Sequence, residues 1–351
     1  MSGVEHYQVA PGDGDQRLDR WFRRQFPQIS QGRIERMCRK GEIRVDGKRV
    51  KPATRLTEGQ TVRIPPLPDA AAPLAVPRPG ISDADAGMIR AAVIYRDDHL
   101  IVLNKPPGLP SQGGSRQPRH VDGLSEALRF DAGEKPRLVH RLDKDTSGVL
   151  VLARSRTVAA ALSTALQSRE TRKIYWAAVA GLPQPRMGTI RFGLVKAPGH
   201  GQAGGAEKML CLHPDQIKTT PGAKHATTDY AVLSHLGGRA SWVALVPVTG
   251  RTHQLRAHMA GIGHPIIGDG KYGGSGQENQ GDGWGGRLGG EFSCRLHLHA
   301  RLLSLTHPLM GIRLSLTAPL PPHMAHTWDL VEWSVGDVLA DPFPDDKTGR
   351  A

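Results

Sequence analysis

The sequence predicts an α+β protein in two parts, and three observations carry that expectation. Six prolines crowd residues 64–80; each fixes φ and removes a backbone donor, so the stretch reads as a semi-rigid, partly polyproline-like linker. Ahead of it lie two apolar stripes at helical spacing and then a short alternating hairpin. Beyond it, apolar runs of strand length are interleaved with a helical stripe. The expected organisation is a module over 1–65 with its core in 16–64, a linker over 66–91, a larger domain over 92–335 and a tail over 336–351.

In the module, Leu18, Trp21 and Phe22 recur at helical spacing and leave Arg17, Arg20, Arg23 and Arg24 for the wet face. Ser30 is placed to cap a second helix, Gln31 to Arg39, in which Ile34 and Met37 again mix with arginines. Residues 41–50 then read as two alternating strands about Asp46-Gly47, a dipeptide suited to a tight hairpin turn.

In the larger part, residues 93–95 and 100–103 flank the polar Arg96-Asp97-Asp98-His99 as a hairpin. The run Val149-Leu150-Val151-Leu152-Ala153 is too continuous for a half-exposed strand and far too short to span a membrane, so it reads as a strand buried on both faces. Val158, Ala161, Leu162, Ala165 and Leu166 form one helical stripe that packs on the sheet. Lys173 and Tyr175 point to one side of the next strand, Ile174 and Trp176 to the other. Two glycine-rich stretches, 199–205 and 273–290, cannot bury much apolar area and read as surface insertions.

Charge points to a polyanionic partner. The chain has 46 Lys and Arg against 33 Asp and Glu, a formal +13, which suits nucleic acid and argues against acidic small-molecule chemistry. Between Arg17 and Arg63 stand 14 basic and 5 acidic side chains, so a net +9 sits on the small module. Cys38, Cys211 and Cys294 are few, odd in number and far apart, indicating neither a disulfide framework nor a zinc site. His253 and His258 are five residues apart and His264 lies on a Gly/Pro turn, so no one-face metal pair is expected. No signal-peptide pattern opens the sequence and no stretch approaches about 20 apolar residues. The expected setting is the cytoplasm, with no membrane contact.

Chemistry concentrates in His140-Arg141-Leu142-Asp143-Lys144-Asp145-Thr146-Ser147-Gly148. Arg141 stands two residues from the Asp143 carboxylate at the mouth of the buried strand, where a rigid sheet meets a loop. Taken alone, an Arg-x-Asp on a turn reads equally as a surface ion pair. The whole string, however, closely resembles the active-site motif of the RluA family of RNA pseudouridine synthases. Three further segments fit that family in order: Val102-Leu103-Asn104-Lys105-Pro106-Pro107-Gly108, then Arg172-Lys173-Ile174-Tyr175-Trp176, then Gly250-Arg251-Thr252-His253-Gln254-Leu255-Arg256-Ala257-His258. Leu296-His297-Leu298-His299-Ala300 with His307-Pro308 fits its carboxyl-terminal pattern, so the resemblance spans about residues 92 to 333. The two basic helices and hairpin of the module resemble the S4 RNA-binding domain.

The resemblance implies a catalytic domain on a mixed, largely antiparallel sheet and a cofactor-free isomerisation of uridine to pseudouridine. It implies that Asp143 is the catalytic carboxylate, that Arg256 pairs with it and keeps it ionised, and that Tyr175 stacks on the uracil. Arg141 would enter the RNA helix and fill the gap left by the extruded nucleotide. His140, Lys173 and Thr146 would support the site, His140 as an orienting group rather than the general base. Asp143 could attack C1′, add to C6 of the base or remove a ribose proton; the three routes stay open. Arg17, Arg20, Arg33, Arg36, Arg39, Lys40, Arg44 and Lys48 would bind RNA through the S4-like module. Gln112-Gly113-Gly114-Ser115 and the strand Tyr175-Trp176-Ala177-Ala178-Val179-Ala180-Gly181 look more like the RluC branch than the RluD branch, which implies action on large-subunit ribosomal RNA, with a RluD-like synthase on another ribosomal helix as the alternative; a monomer is expected.

Two readings from other classes compete. A non-catalytic RNA-binding or ribosome-assembly factor would have no need for the intact set Arg141, Asp143, Tyr175 and Arg256. A glycoside hydrolase using Asp143 and Asp145 fails on spacing, since carboxylates two apart at a turn have no reason to flank a sugar at roughly 5 Å or more.

Overall fold

Leu18, Trp21 and Phe22 fall three and four residues apart, and burying that stripe organises the amino-terminal part of the chain. The computed structural model describes residues 3–67, 80–113, 119–168, 170–198, 208–273, 292–339 and 341–343, and its two units are Met1–Gly80 and Ile81–Ala351. In the first unit β1 (Glu5–Gln8) precedes α1 (Leu18–Gln25) and α2 (Gln31–Lys40), and β2 (Arg44–Val45), β3 (Lys48–Arg49) and β4 (Thr61–Ile64) follow. The strands form one sheet in the order β1-β4-β2-β3. Asp46 and Gly47 both take positive φ, 48° and 75°, as a two-residue turn that matches strand twist requires. Ser30 has the extended backbone of an N-cap, yet its side chain makes no capping hydrogen bond. Strand β1 was not foreseen: only four residues long, with alternate half-buried positions, it draws its order from pairing with β4.

Most of the proline-rich linker lies outside the described residues, as do residues 199–205 and 274–290 of the glycine-rich stretches. Where the linker was expected to continue to residue 91, the chain instead forms α3 (Asp83–Ala91). The prolines end at Pro79; Ser82 Oγ then accepts from Asp85 N at 3.2 Å, and Asp83 and Asp85 in the first turn suit the positive end of the helix.

The second unit continues with β5 (Val93–Arg96), β6 (Leu100–Lys105), α4 (Val121–Leu124), β7 (Arg137–Leu138), β8 (Ser147–Ala153), α5 (Arg156–Ala165), β9 (Arg172–Ala180), β10 (Met187–Lys196) and β11 (Met209–Leu212). Next come β12 (Lys224–Leu236), β13 (Ala240–Pro247), α6 (Gln254–Gly261), β14 (Leu298–Thr306), β15 (Arg313–Thr317) and α7 (Pro322–Leu330). The sheet runs β11-β10-β12-β13-β9-β14-β8-β6-β5, with β15 on β14 and β7 on β8. Among the described residues β14 with β8 is its parallel pair and the other pairings are antiparallel, so the mixed, largely antiparallel expectation holds.

All seven residues of β8 are buried. Val149 and Val151 pack with Val158, Leu162 and Leu166 of the α5 region, while Leu150 and Leu152 face a second cluster with Leu103, Leu128 and Leu142. On β9, Ile174 and Trp176 join Trp242 and Trp328, and Tyr175 faces the other side. Ala300 of β14 stands opposite both Gly148 of β8 and Tyr175 of β9. Gly148 has φ 109°, and a Cβ there would lie 2.2 Å from the Ala300 carbonyl oxygen, so only glycine permits this approach.

The described part of the expected tail is packed rather than trailing. Arg172 gives Asp341 two hydrogen bonds of 2.7 and 2.9 Å, and its guanidinium lies 5.2 Å from the Phe343 ring centre. No described helix is long and apolar enough to cross a membrane.

Candidate active site

The loop carrying Asp143 is pinned from several directions. Leu142 is buried, its N–H donates to Ser111 Oγ at 3.0 Å, and its carbonyl accepts from the same hydroxyl at 2.7 Å. Lys105 is wholly buried and its ammonium donates to the carbonyls of Pro106, Leu109 and Lys144 at 2.9, 2.8 and 3.0 Å. It thereby ties the turn after β6 to the residue next to Asp143. Burial pushes the Lys105 pKa down to about 7, against the pull of the Asp145 and Asp143 charges. Thr146 is buried where the loop enters β8.

His140 Nε2 accepts from the Val151 backbone N–H at 2.9 Å. Burial, followed by the charge of Lys173, pushes its pKa down to about 3, so the ring is neutral and its hydrogen bond orients loop against strand. Lys173 does not reach Asp143; its ammonium donates to Leu166 O at 2.9 Å. Arg141 is exposed, and no hydrogen bond or ion pair joins it to another described residue.

Asp143 faces the start of α6 through Oδ2. Arg256 Nη1 and His253 Nε2 each lie 3.8 Å from that oxygen. The expected pairing of Arg256 with Asp143 is therefore present but long, because the closer partner of Arg256 is Asp269. Arg256 Nε and Nη2 donate to Asp269 Oδ2 and Oδ1, both at 2.7 Å, with both residues buried. Burial opposes the Arg256 charge, but Asp269, with Asp143 behind it, raises its pKa above the ordinary arginine value. The ring of Tyr272 lies 5.2 Å from the guanidinium, and its hydroxyl is 2.9 Å from His253 Nδ1.

Tyr175 is half-buried between two apolar clusters. Burial, and then the Asp143 charge, raise its hydroxyl pKa. In the first unit Arg20, Arg33, Arg36, Arg39, Lys40 and Lys48 are exposed. Arg17 is engaged by Asp19 at 2.5 Å, and half-buried Arg44 donates to the carbonyls of Gly41 and Gly47, so these two also brace their own unit.

Sequence reasoning missed Asp269, His253 and Tyr272 as members of this constellation. The segment Gly268-Asp269-Gly270-Lys271-Tyr272 follows α6 closely enough to be placed near the cleft, but nothing in its spacing shows that Asp269 takes Arg256.

A carboxylate with an arginine and a histidine 3.8 Å from one oxygen, in a chain with a separate basic unit, suits an enzyme that works on a polyanion. Residues 99–261 match the RNA pseudouridylate synthase family and residues 16–62 match the S4 domain. The chain belongs to the RNA pseudouridine synthases, as its motifs indicate. It is 35% identical over 312 residues to ribosomal large subunit pseudouridine synthase C of Salmonella typhi, covering 89% of this chain and 92% of that protein. The protein of the same name from Escherichia coli K12 is 34% identical over the same shares. Among solved structures, human RNA pseudouridylate synthase domain containing 4 is 30% identical, with a TM-score of 0.55 over 70% of this chain and 95% of that one.

Proposed function

We propose that this chain converts uridines of large-subunit ribosomal RNA to pseudouridine, with Asp143 as the catalytic carboxylate. One observation carries the reading: Asp143 is half-buried at the mouth of β8, with Arg256 and His253 on one oxygen and exposed Arg141 two residues away. The reaction breaks N1–C1′, turns the base and joins C5 to C1′, with no net redox change and no water consumed. Each of its three routes needs one carboxylate at a fixed place, and the neighbouring guanidinium faces Asp143 with opposite charge. Arg141 is free to enter the RNA stack, where extruding a nucleotide costs a few kcal/mol. Tyr175 offers a ring to the extruded base. The exposed arginines of the S4 domain offer a phosphate-binding face. The names of the relatives favour the large ribosomal subunit as substrate. A monomer working in the cytoplasm completes the proposal.

Asp143→Asn is isosteric and removes the nucleophile or base, so it should abolish tritium release from 5-labelled uridine in RNA while leaving fold and RNA affinity unchanged. Asp145→Asn should keep most activity. A substantially active Asp143→Asn enzyme would overturn the assignment of the carboxylate. Pseudouridine mapping in a deletion strain should show losses in large-subunit RNA; an unchanged large-subunit map would overturn the substrate.

A further inference from the structure

His253 takes a left-handed backbone, φ 52° and ψ 21°, at the N-cap of α6, a conformation uncommon outside glycine and, less often, asparagine, aspartate and histidine. That backbone sets its ring between Tyr272 and Asp143, with the side chain only 11% exposed. Met209 N–H donates to the Tyr272 hydroxyl oxygen at 2.9 Å, and that hydroxyl lies 2.9 Å from His253 Nδ1, so donation of the phenolic proton to Nδ1 gives every polar hydrogen of the chain an acceptor. A neutral ring that accepts at Nδ1 carries its own proton on Nε2, and Nε2 is the atom that faces Asp143 Oδ2 at 3.8 Å. Burial lowers the His253 pKa, and the Arg256 and Lys271 charges act in the same direction, while Asp143 and Asp269 oppose them.

Arg256 and His253 both address Oδ2. Asp143 Oδ1 makes no hydrogen bond or ion pair among the described residues. We propose that His253 is a positioning residue: the chain Met209–Tyr272–His253 fixes an Nε2–H donor on Asp143 Oδ2, so that Oδ1 is the oxygen presented to the target nucleotide. The inference rests on the reading of Asp143 as the catalytic carboxylate. The 3.8 Å separation closes to a hydrogen bond when RNA fills the cleft, as catalytic contacts do on substrate binding.

Two substitutions and one spectroscopic measurement test it. His253→Asn keeps a residue suited to the left-handed backbone, but its amide is too short to replace Nε2. His253→Gln reaches the Nε2 position and offers an N–H that does not titrate. The Asn variant should lose kcat by about 10- to 100-fold with KM for RNA unchanged, as expected when a reacting group is misplaced. The Gln variant should recover to within about threefold of the wild type. In the intact wild-type protein at neutral pH, nitrogen-15 shifts of the His253 ring, assigned by their loss in the Asn variant, should report a neutral ring protonated at Nε2.

An Asn variant as fast as wild type, a Gln variant as slow as Asn, or a ring protonated at Nδ1 or at both nitrogens would each overturn the proposal. Thermal melts establish that both variants fold; for one that does not, the ring shifts decide, with assignment taken from the variant that does. Asp143→Asn runs in the same assay. Activity there would refute the carboxylate assignment itself, whereas an inactive Asp143→Asn beside a fully active His253→Asn would refute only the role of His253.

Discussion

Arg256 gives Asp269 two hydrogen bonds of 2.7 Å and reaches Asp143 with its remaining terminal nitrogen at 3.8 Å. The guanidinium is a rigid planar fork, so a bidentate carboxylate on one edge fixes where the other edge points. Asp269 therefore aims the charge that Asp143 feels.

Asp269→Ala should accordingly damage the enzyme twice. Leaving Arg256 buried without its partner should cost about 3–5 kcal/mol of stability, read as a lower denaturant midpoint. Turnover should fall further than RNA affinity, because Nη1 loses its aim. A variant with unchanged midpoint and turnover would show that Arg256 is held by other means.

Tyr175→Phe separates ring from hydroxyl. The ring stays between its two clusters, so fold and RNA binding should persist. Turnover should drop if the phenol handles the C5 proton of the base, which single-turnover kinetics with 5-deuterated uridine would detect. Full-rate catalysis would limit Tyr175 to stacking.

Deleting residues 1–80 removes a compact unit and the net +9 of residues 17–63. Binding to structured ribosomal RNA should weaken, and each lost phosphate contact should lower the slope of log K against log salt by roughly 0.7 to 0.9. Residual synthase activity should remain on short fragments, since every proposed active-site residue lies beyond the deletion. Isotherms at several salt concentrations check the first expectation; an unchanged slope would reduce the basic face to solvated surface.

Acid should destabilise this fold early. Burial pushes His297 down to about 3 and His258 and His299 to about 4, and all three side chains are fully enclosed. In the unfolded chain each takes a proton near pH 6.5, while the native state refuses it. Stability is therefore lost as pH falls from 6.5 towards 4, on the order of 1–2 kcal/mol for each histidine by pH 5. Urea midpoints at pH 7, 6 and 5 should fall in that order, and a flat series would mean that these rings are protonated in the fold.

What was legible in the sequence was local. The Asp46-Gly47 turn, the stripe of α1, the buried run of β8 and the alternation of Lys173, Ile174, Tyr175 and Trp176 each follow from neighbours a few residues apart. Asp143, Tyr175 and Arg256 were expected together because their flanking motifs resemble a family, and the fold places Arg256 3.8 Å from Asp143. Lys105 and His253 belong to motifs and Asp269 follows the last of them, yet their partners are set by tertiary contacts: Lys105 with Lys144 O, His253 with Tyr272, Asp269 with Arg256. No periodicity encodes such pairings. The same holds for Asp341, whose bond to Arg172 bridges most of the second unit's sequence.

The position of Ala300 has a consequence for the order in which the protein is made. Strand β14 is inserted between β8 and β9, which are translated more than a hundred residues earlier. Asp143 leads into one of those strands and Tyr175 sits on the other, so the last long strand acts as a keystone between the two halves of the cleft. During synthesis the S4 domain emerges first, and residues 298–306, which join β8 to β9, emerge near the end. A chain terminated before that strand should leave β8 and β9 unjoined and show no turnover.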